Sequence, residues 1–256
     1  SPTSRFMSNW IRGMHRLGFS VDEIPLLIRR LKSQNAVIPR SVFSHFVGSD
    51  SAQFDFFTRQ QIELFEKGSQ ELQEAFSHKI LRHICNTAGI ERFPGAQFDM
   101  VRLGIGLYGV SPIDNSIINN VSTLKTTILQ IRDVPGEDTV GYSRMGHLTR
   151  PSRIAAIPIG YADGLIRLLS GKIDFAFNDR TVHQVGNICM DQCMFEVDLR
   201  SRVSAPTLDP HIGDEVIIAG PHPTVDCSIT TMAKRAATIE HEVTIGFSHR
   251  MPRYYR

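Results

Sequence analysis

Along the first hundred residues, stretches with a helical hydrophobic period alternate with short apolar runs. Ser20 and Glu23 have the spacing of a capping box, and Ile24, Leu27, Ile28 and Leu31 follow at i, i+3, i+4 and i+7, one face of an amphipathic helix. The spacing predicts a helix over about 21–32. SVFSHF (41–46) is short and rich in β-formers and predicts a strand. A second helix follows, capped by Thr58 and Gln61, with Ile62, Phe65, Leu72 and Phe76 along one stripe. KILRHI (79–84) and DMVRLG (99–104) predict two further strands. Strands separated by helical patterns pair in parallel through crossover helices, so this half is expected to be part of an α/β barrel or a doubly wound sheet.

From about residue 119 the period changes. LKTTILQIRDV, RIAAIPIGYADG, QVGNICMDQCMFEVDL and GDEVIIAG are strand-like runs broken by turn residues, with one helical pattern at 230–241 and a basic, aromatic end, RMPRYYR. SPIDNSIINN (111–120) marks the switch, which divides the chain into an α/β domain, 1–118, and a β-rich domain, 119–256.

Composition narrows the function classes. Hydrophobic residues make up 41% and charged residues 21% of the 256, the balance of a chain that folds rather than stays disordered. Lys and Arg total 28 against 26 Asp and Glu. That near-neutral balance, with no block of like charges, gives no footprint for nucleic acid. No run of 18 apolar residues predicts a membrane span, and no apolar stretch near the N-terminus has signal-peptide length. Four cysteines (Cys85, Cys189, Cys193 and Cys227) are too few for a disulfide scaffold and fit a reduced, cytoplasmic compartment.

Chemistry is expected just beyond the strands, because α/β barrels carry their sites at the carboxyl ends. His45 ends one strand, Asn86 and Thr87 follow the next, and Arg102 precedes Gly104-Ile105-Gly106. A G-x-G turn lets backbone N–H groups approach an anion such as a phosphate, although the same triplet serves as a plain tight turn. His45 equally suits a structural histidine, and Arg102 a buried ion pair. In the β-rich half, VGYSR (140–144), IGYADG (159–164) and GNICMDQ (186–192) set a Tyr or Asp among small residues at strand ends. Cys189 and Cys193 with His183 and Asp191 make a poor metal set, since no second pair follows at ligand spacing. G-x-S-x-G, P-loop and G-x-G-x-x-G patterns are absent.

Taken in order, GMHRLGF (13–19), FSHF (43–46) with Asp50, HICNTAG (83–89), DMVRLGIGLYG (99–109), VGYSR, IPIGYADGLIR (157–167), VGNICMDQ (185–192) and MPRYY (251–255) resemble the alanine racemases. These are pyridoxal phosphate enzymes that interconvert L- and D-alanine. The resemblance covers nearly the whole chain and implies the C-terminal part of a TIM-type (β/α)8 barrel followed by a β-rich C-terminal domain. It also implies pyridoxal 5′-phosphate as cofactor, alanine as substrate, D-alanine for peptidoglycan as product, no metal, and a cytoplasmic homodimer with shared active sites. Tyr142 is then the base on one face of Cα, supplied by the neighbouring subunit. Arg102 meets the pyridine nitrogen, and because an arginine keeps its proton, that nitrogen stays neutral. Thr87, the backbone of Gly104 and Ile105, and Tyr255 hold the phosphate. Arg16 helps with the substrate carboxylate or tunes the Tyr142 network, and His45 stands between Tyr142 and Arg102. Met190 and Asp191 bring a backbone amide to the carboxylate, and Tyr161 and Arg167 belong to the substrate-access channel. VGYSR and SHFVGSDSAQFDFFTRQQ resemble the racemase half of a fused cell-wall ligase and racemase.

Two departures accompany the resemblance. The family's cofactor-binding lysine precedes all these motifs, and Lys32, Lys67, Lys79, Lys125, Lys172 and Lys234 all stand in other contexts. Ile11 and Arg12 occupy positions where the family usually has Asp-Thr. A chain without that lysine is expected to be inactive alone. Two alternatives therefore stand beside alanine racemisation: a catalytically incomplete fragment acting as a cofactor-binding or dimerisation module, and a racemase for serine or for a broad range of amino acids.

Overall fold

The computed structural model describes residues 4–9 as backbone, and 14–197 and 209–255 in full; Ile11 and Arg12 lie outside the described residues. The chain divides into two compact units, Ser1–Asn119 and Asn120–Arg256.

The first unit alternates strand and helix: β1 (Ser4–Asn9), α1 (Ile24–Lys32), β2 (Val37–Phe43), α2 (Asp55–Glu74), β3 (Leu81–His83) and α3 (Thr87–Arg92). The strands lie parallel in the order β1-β2-β3. The Ser20–Glu23 capping box forms ahead of α1, with the Ser20 N–H donating to Glu23 Oε2 at 2.7 Å. Ile24, Leu27 and Leu31 of α1, Val42 of β2, and Phe65 and Leu72 of α2 are buried in one apolar cluster with Ile84 and Phe93. This gives each amphipathic face its partner.

Local expectations are corrected at three places. The predicted strand 41–46 begins four residues earlier and ends at Phe43, so Ser44 and His45 leave the ladder at its carboxyl end. The second helix begins at Asp55 rather than at a Thr58–Gln61 cap; both residues lie inside α2 and are buried. Gln61 serves the loop after β2 instead, its Oε1 accepting from Val47 N at 3.3 Å and its Nε2 donating to His45 O at 3.4 Å. Residues 99–104 form no strand. Phe98 turns with φ +49°, and the segment then runs beside β3 on two bonds, Asp99 N to Arg82 O and Arg102 N to Cys85 O, both 3.0 Å.

The second unit is β-rich. Its strands are β4 (Leu124–Thr127), β5 (Gln130–Val134), β6 (Thr139–Val140), β7 (Gly146–His147), β8 (Ser152–Ile157), β9 (Asp174–Phe177), β10 (Arg180–Val185), β11 (Cys193–Val197) and β12 (Glu215–Ala219). Seven form a sheet in the order β4-β12-β9-β10-β11-β8-β5, and β6 pairs with β7. Phe175 and Phe177 of β9 and Phe195 of β11 are fully buried, and the Phe195 ring meets that of Phe175 edge-on. Asn178 and Asp179, at φ +47° and +58°, make the two-residue turn between β9 and β10, a conformation these residues tolerate better than most. The helical pattern at 230–241 becomes two helices, α4 (Ile229–Ala236) and α5 (Glu240–Gly246), separated where Ala237 takes φ +55°. No described helix is long and apolar enough to cross a membrane.

Candidate functional site

In the first unit, the carboxyl ends of β2 and β3 converge on Arg102. Its Nη2 donates to Ser44 O at 2.5 Å and Ile84 O at 3.2 Å and faces His45 Nδ1 at 3.2 Å. Its Nη1 donates to His83 O at 3.2 Å and faces His83 Nδ1 at 2.5 Å. A guanidinium has donors alone, so each imidazole accepts through Nδ1 and carries its proton on Nε2. Burial, aided by the Arg102 charge, pushes His83 down to about 4; burial and the charges of Arg102 and Arg16 lower His45. Both rings are thus neutral near pH 7. Five acceptors occupy the terminal nitrogens of Arg102, and its Nε–H takes no partner among the described residues. The guanidinium also lies 5.2 Å from the Phe43 ring, which stacks on His83. The neighbouring Cys85 thiol is raised by burial to about 11 and stays protonated.

Thr87 is buried at the start of α3, and its Oγ1 accepts from Gly104 N at 3.1 Å and Gly106 N at 3.3 Å. The Gly104 donor is thereby spent, while the Ile105 N–H and the Thr87 hydroxyl proton remain to meet an anion. Asn86 caps α3, accepting from Gly89 N at 2.9 Å. The structure therefore brings Arg102, His45 and the charge of the exposed Arg16 together, and joins Thr87 to the Gly104–Ile105 turn.

In the second unit, Tyr142 sits in the turn between β6 and β7 and is 67% exposed. Two other motifs bond to each other: Tyr161 N donates to Cys189 O at 3.0 Å, and Ala162 N to Met190 O at 2.8 Å. A Cβ at Gly160 would stand 2.3 Å from Cys189 O, so only glycine permits this approach. Met190, Asp191 and Arg167 are exposed. The Cys189 thiol is raised by burial and by Asp191, against the Arg167 charge. Cys193 is fully buried in β11, and His183 pairs with Asp174. The segment carrying the exposed Tyr255 is anchored upstream through Arg250, whose Nε meets Asp163 Oδ1 at 2.9 Å. Asp163 is buried and also accepts from Gly160 N at 3.0 Å.

Sequence reasoning missed the parts played by His83, Asp163, Arg250 and Asn187. His83 reads as an ordinary strand residue, although it ends β3 as Phe43 ends β2. The Asp163–Arg250 pair and Asn187, whose Nδ2 donates to Tyr142 O at 3.0 Å, join positions too distant along the chain for any local pattern to connect.

Comparison with known proteins bears on both units. Residues 10–112 match the family model of the alanine racemase N-terminal domain, and residues 121–255 that of the C-terminal domain. Alanine racemase 2 of Caldanaerobacter subterraneus is 36% identical over 250 residues, covering 95% of this chain and 62% of that protein. Alanine racemase 1 of Clostridium acetobutylicum is 34% identical over 249 residues, again covering 95% and 62%. The chain thus spans about 62% of the length of these relatives. Among solved structures, an alanine racemase of Clostridium difficile superposes with TM-score 0.85 at 29% identity, covering 97% of this chain and 63% of that one. One from Bartonella henselae, with covalently bound pyridoxal phosphate, gives 0.79 at 27%, covering 98% and 65%. With a family model matching each of its two units, the chain belongs to the alanine racemase family.

Proposed function

We propose that the protein containing this chain interconverts L- and D-alanine with pyridoxal 5′-phosphate in the cytoplasm and supplies D-alanine for peptidoglycan. The observation that carries the reading is Arg102: a half-buried cation whose terminal nitrogens are taken up by three carbonyls and two neutral imidazoles, leaving one N–H to offer. That donor fits a pyridine nitrogen, and the Thr87 hydroxyl with the Ile105 N–H fits a phosphate. The relatives' names supply the substrate, and the Bartonella henselae structure supplies the cofactor.

When bound, pyridoxal 5′-phosphate supplies the electron sink that acidifies the Cα–H of the amino acid. The chain's residues hold and orient. Arg102 donates from Nε and keeps its proton, which limits how far electrons spread into a ring and so favours return of a proton to Cα over side reactions. His45 and His83 accept from Arg102 and fix its plane. Thr87 and Ile105 donate to the phosphate, Gly104 shapes their turn, and Tyr255 adds its hydroxyl. Tyr142 exchanges the proton on one face of Cα, with His45 between it and Arg102. A phenol does this near pH 7 only where cations support its anion, a task for Arg102 and Arg16. Met190 and Asp191 present a backbone amide to the carboxylate, and Tyr161 with Arg167 lines the access channel.

Residues 1–118 are then the cofactor domain, forming the C-terminal part of a TIM-type barrel, and 119–256 the β-rich domain. A two-fold homodimer places Tyr142, Met190 and Asp191 over the partner's cofactor. Within the first unit, Lys32 ends α1 and Lys79 precedes β3, away from the carboxyl ends of the strands where Arg102 is held. Neither is placed to serve as the family's cofactor-binding lysine.

The test uses the intact protein. A Tyr142→Phe variant and a variant lacking the anchoring lysine are each expected to be nearly inactive. After subunit exchange, each mixed dimer should regain up to about half the wild-type activity per dimer, since one of its two sites is whole. No recovery after confirmed exchange overturns the shared site, and an intact wild-type protein that racemises serine but not alanine overturns the substrate.

A further inference from the structure

Tyr142 stands in a strained turn whose own backbone hydrogen bonds are weak. Gly141 has φ +77°, and Ser143 and Arg144 follow at +57° and +54°, a left-handed conformation that side chains resist. The turn's own bonds are long, 3.3 Å from Arg144 N to Gly141 O and 3.4 Å from Met145 N to Tyr142 O. A shorter bond comes from elsewhere in the chain. Asn187, only 9% exposed, donates from Nδ2 to Tyr142 O at 3.0 Å. The backbones on which the two residues stand approach closely: a Cβ at Gly186 (φ +74°) would lie 2.5 Å from Val140 O, and one at Gly141 would lie 3.3 Å from Asn187 N. Asn187 therefore reaches the Tyr142 peptide from a rigid, near-contact scaffold, where a buried amide donor is costly to leave unpaired.

We propose that Asn187 is a positioning residue for Tyr142: its side-chain amide fixes the strained peptide at Tyr142 and thereby aims the phenol at Cα. This rests on the reading of Tyr142 as a base. The Met190–Asp191 loop has separate anchors, Tyr161 N to Cys189 O and Ala162 N to Met190 O, so losing the Asn187 bond disturbs proton transfer more than substrate binding.

The experiment compares Asn187→Asp, which is nearly isosteric without an amide donor, and Asn187→Ser, which is smaller and keeps a hydroxyl donor, with Tyr142→Phe in the intact, cofactor-loaded protein. Each is assayed with L- and D-alanine bearing hydrogen or deuterium at Cα. Asn187→Asp is expected to lower kcat by about 10- to 100-fold with KM for alanine within about threefold, a loss confined to the transition state. The isotope effect should rise for the enantiomer whose Cα–H faces Tyr142 and fall toward one for the other, and Asn187→Ser should recover part of kcat. Unchanged kinetics, an equal effect on both enantiomers, or loss of fold in both variants overturns the proposal, the last by making Asn187 a purely structural residue. If Tyr142→Phe itself keeps full activity and ordinary isotope effects, the base assignment falls first and takes this proposal with it.

Discussion

His83 makes the most direct physical prediction, because its ring has no exposure to solvent and its Nε2 has no hydrogen-bond partner among the described residues. Protonation would place a second cation against Arg102, and burial with that charge holds the folded pKa near 4, below an ordinary 6.5. Between these values the unfolded chain binds a proton that the folded chain refuses, so stability rises with pH. The contribution is fully present above pH 6.5 and is lost as pH falls toward 4. At pH 5.5 the difference is about 0.9 proton, and integrating from pH 7 to 4.5 gives a loss on the order of 2 kcal/mol. His45, shifted in the same direction, adds to the same window, whereas Asp99, Asp133 and Asp226, all lowered, act further down the scale. His83→Gln keeps an acceptor for Arg102 and cannot titrate. Urea unfolding of the cofactor-free protein at half-unit steps from pH 7 to 4.5 should show the wild type losing more stability than His83→Gln by that amount. The His83 Cε1 proton should correspondingly fail to titrate above about pH 5 in an NMR series. A His83 titration at or above pH 6.5, or parallel pH slopes for the two proteins, would refute the neutral imidazole.

Two further substitutions test the packing. Ala237→Gly is expected to stabilise the second unit by about 0.5–1 kcal/mol, because Ala237 is exposed at φ +55° and glycine takes that conformation without strain; a lower melting temperature would count against it. Leu72→Ala, at a fully buried position of α2, should cost about 2–5 kcal/mol in urea unfolding, and a loss below about 1 kcal/mol would mean that the cluster collapses around the gap.

What the sequence determined was whatever depends on neighbours along the chain. The capping box and the i, i+3, i+4, i+7 spacing place α1, since a helical period specifies a buried face before any partner is known. The change of period separates an α/β half from a β-rich half. Polar groups just past strands, His45, Thr87 and Arg102, are visible as candidates because a strand's end is itself a local feature. Local patterns fail where distant partners decide. Thr58 and Gln61 have cap spacing but are buried in α2, where Gln61 bonds the loop bearing His45. DMVRLG looks like a strand, yet it meets β3 through two separated bonds after the turn at Phe98. β1 escaped notice because SRFMSN contains no β-branched residue, and its pairing with β2 makes it a strand. Only tertiary structure could reveal that His83 shares Arg102 with His45, or that Asn187 supports Tyr142. A hydrogen bond between residues 45 positions apart leaves no period to read, and the close approach of two backbones, not the sequence around either, creates it.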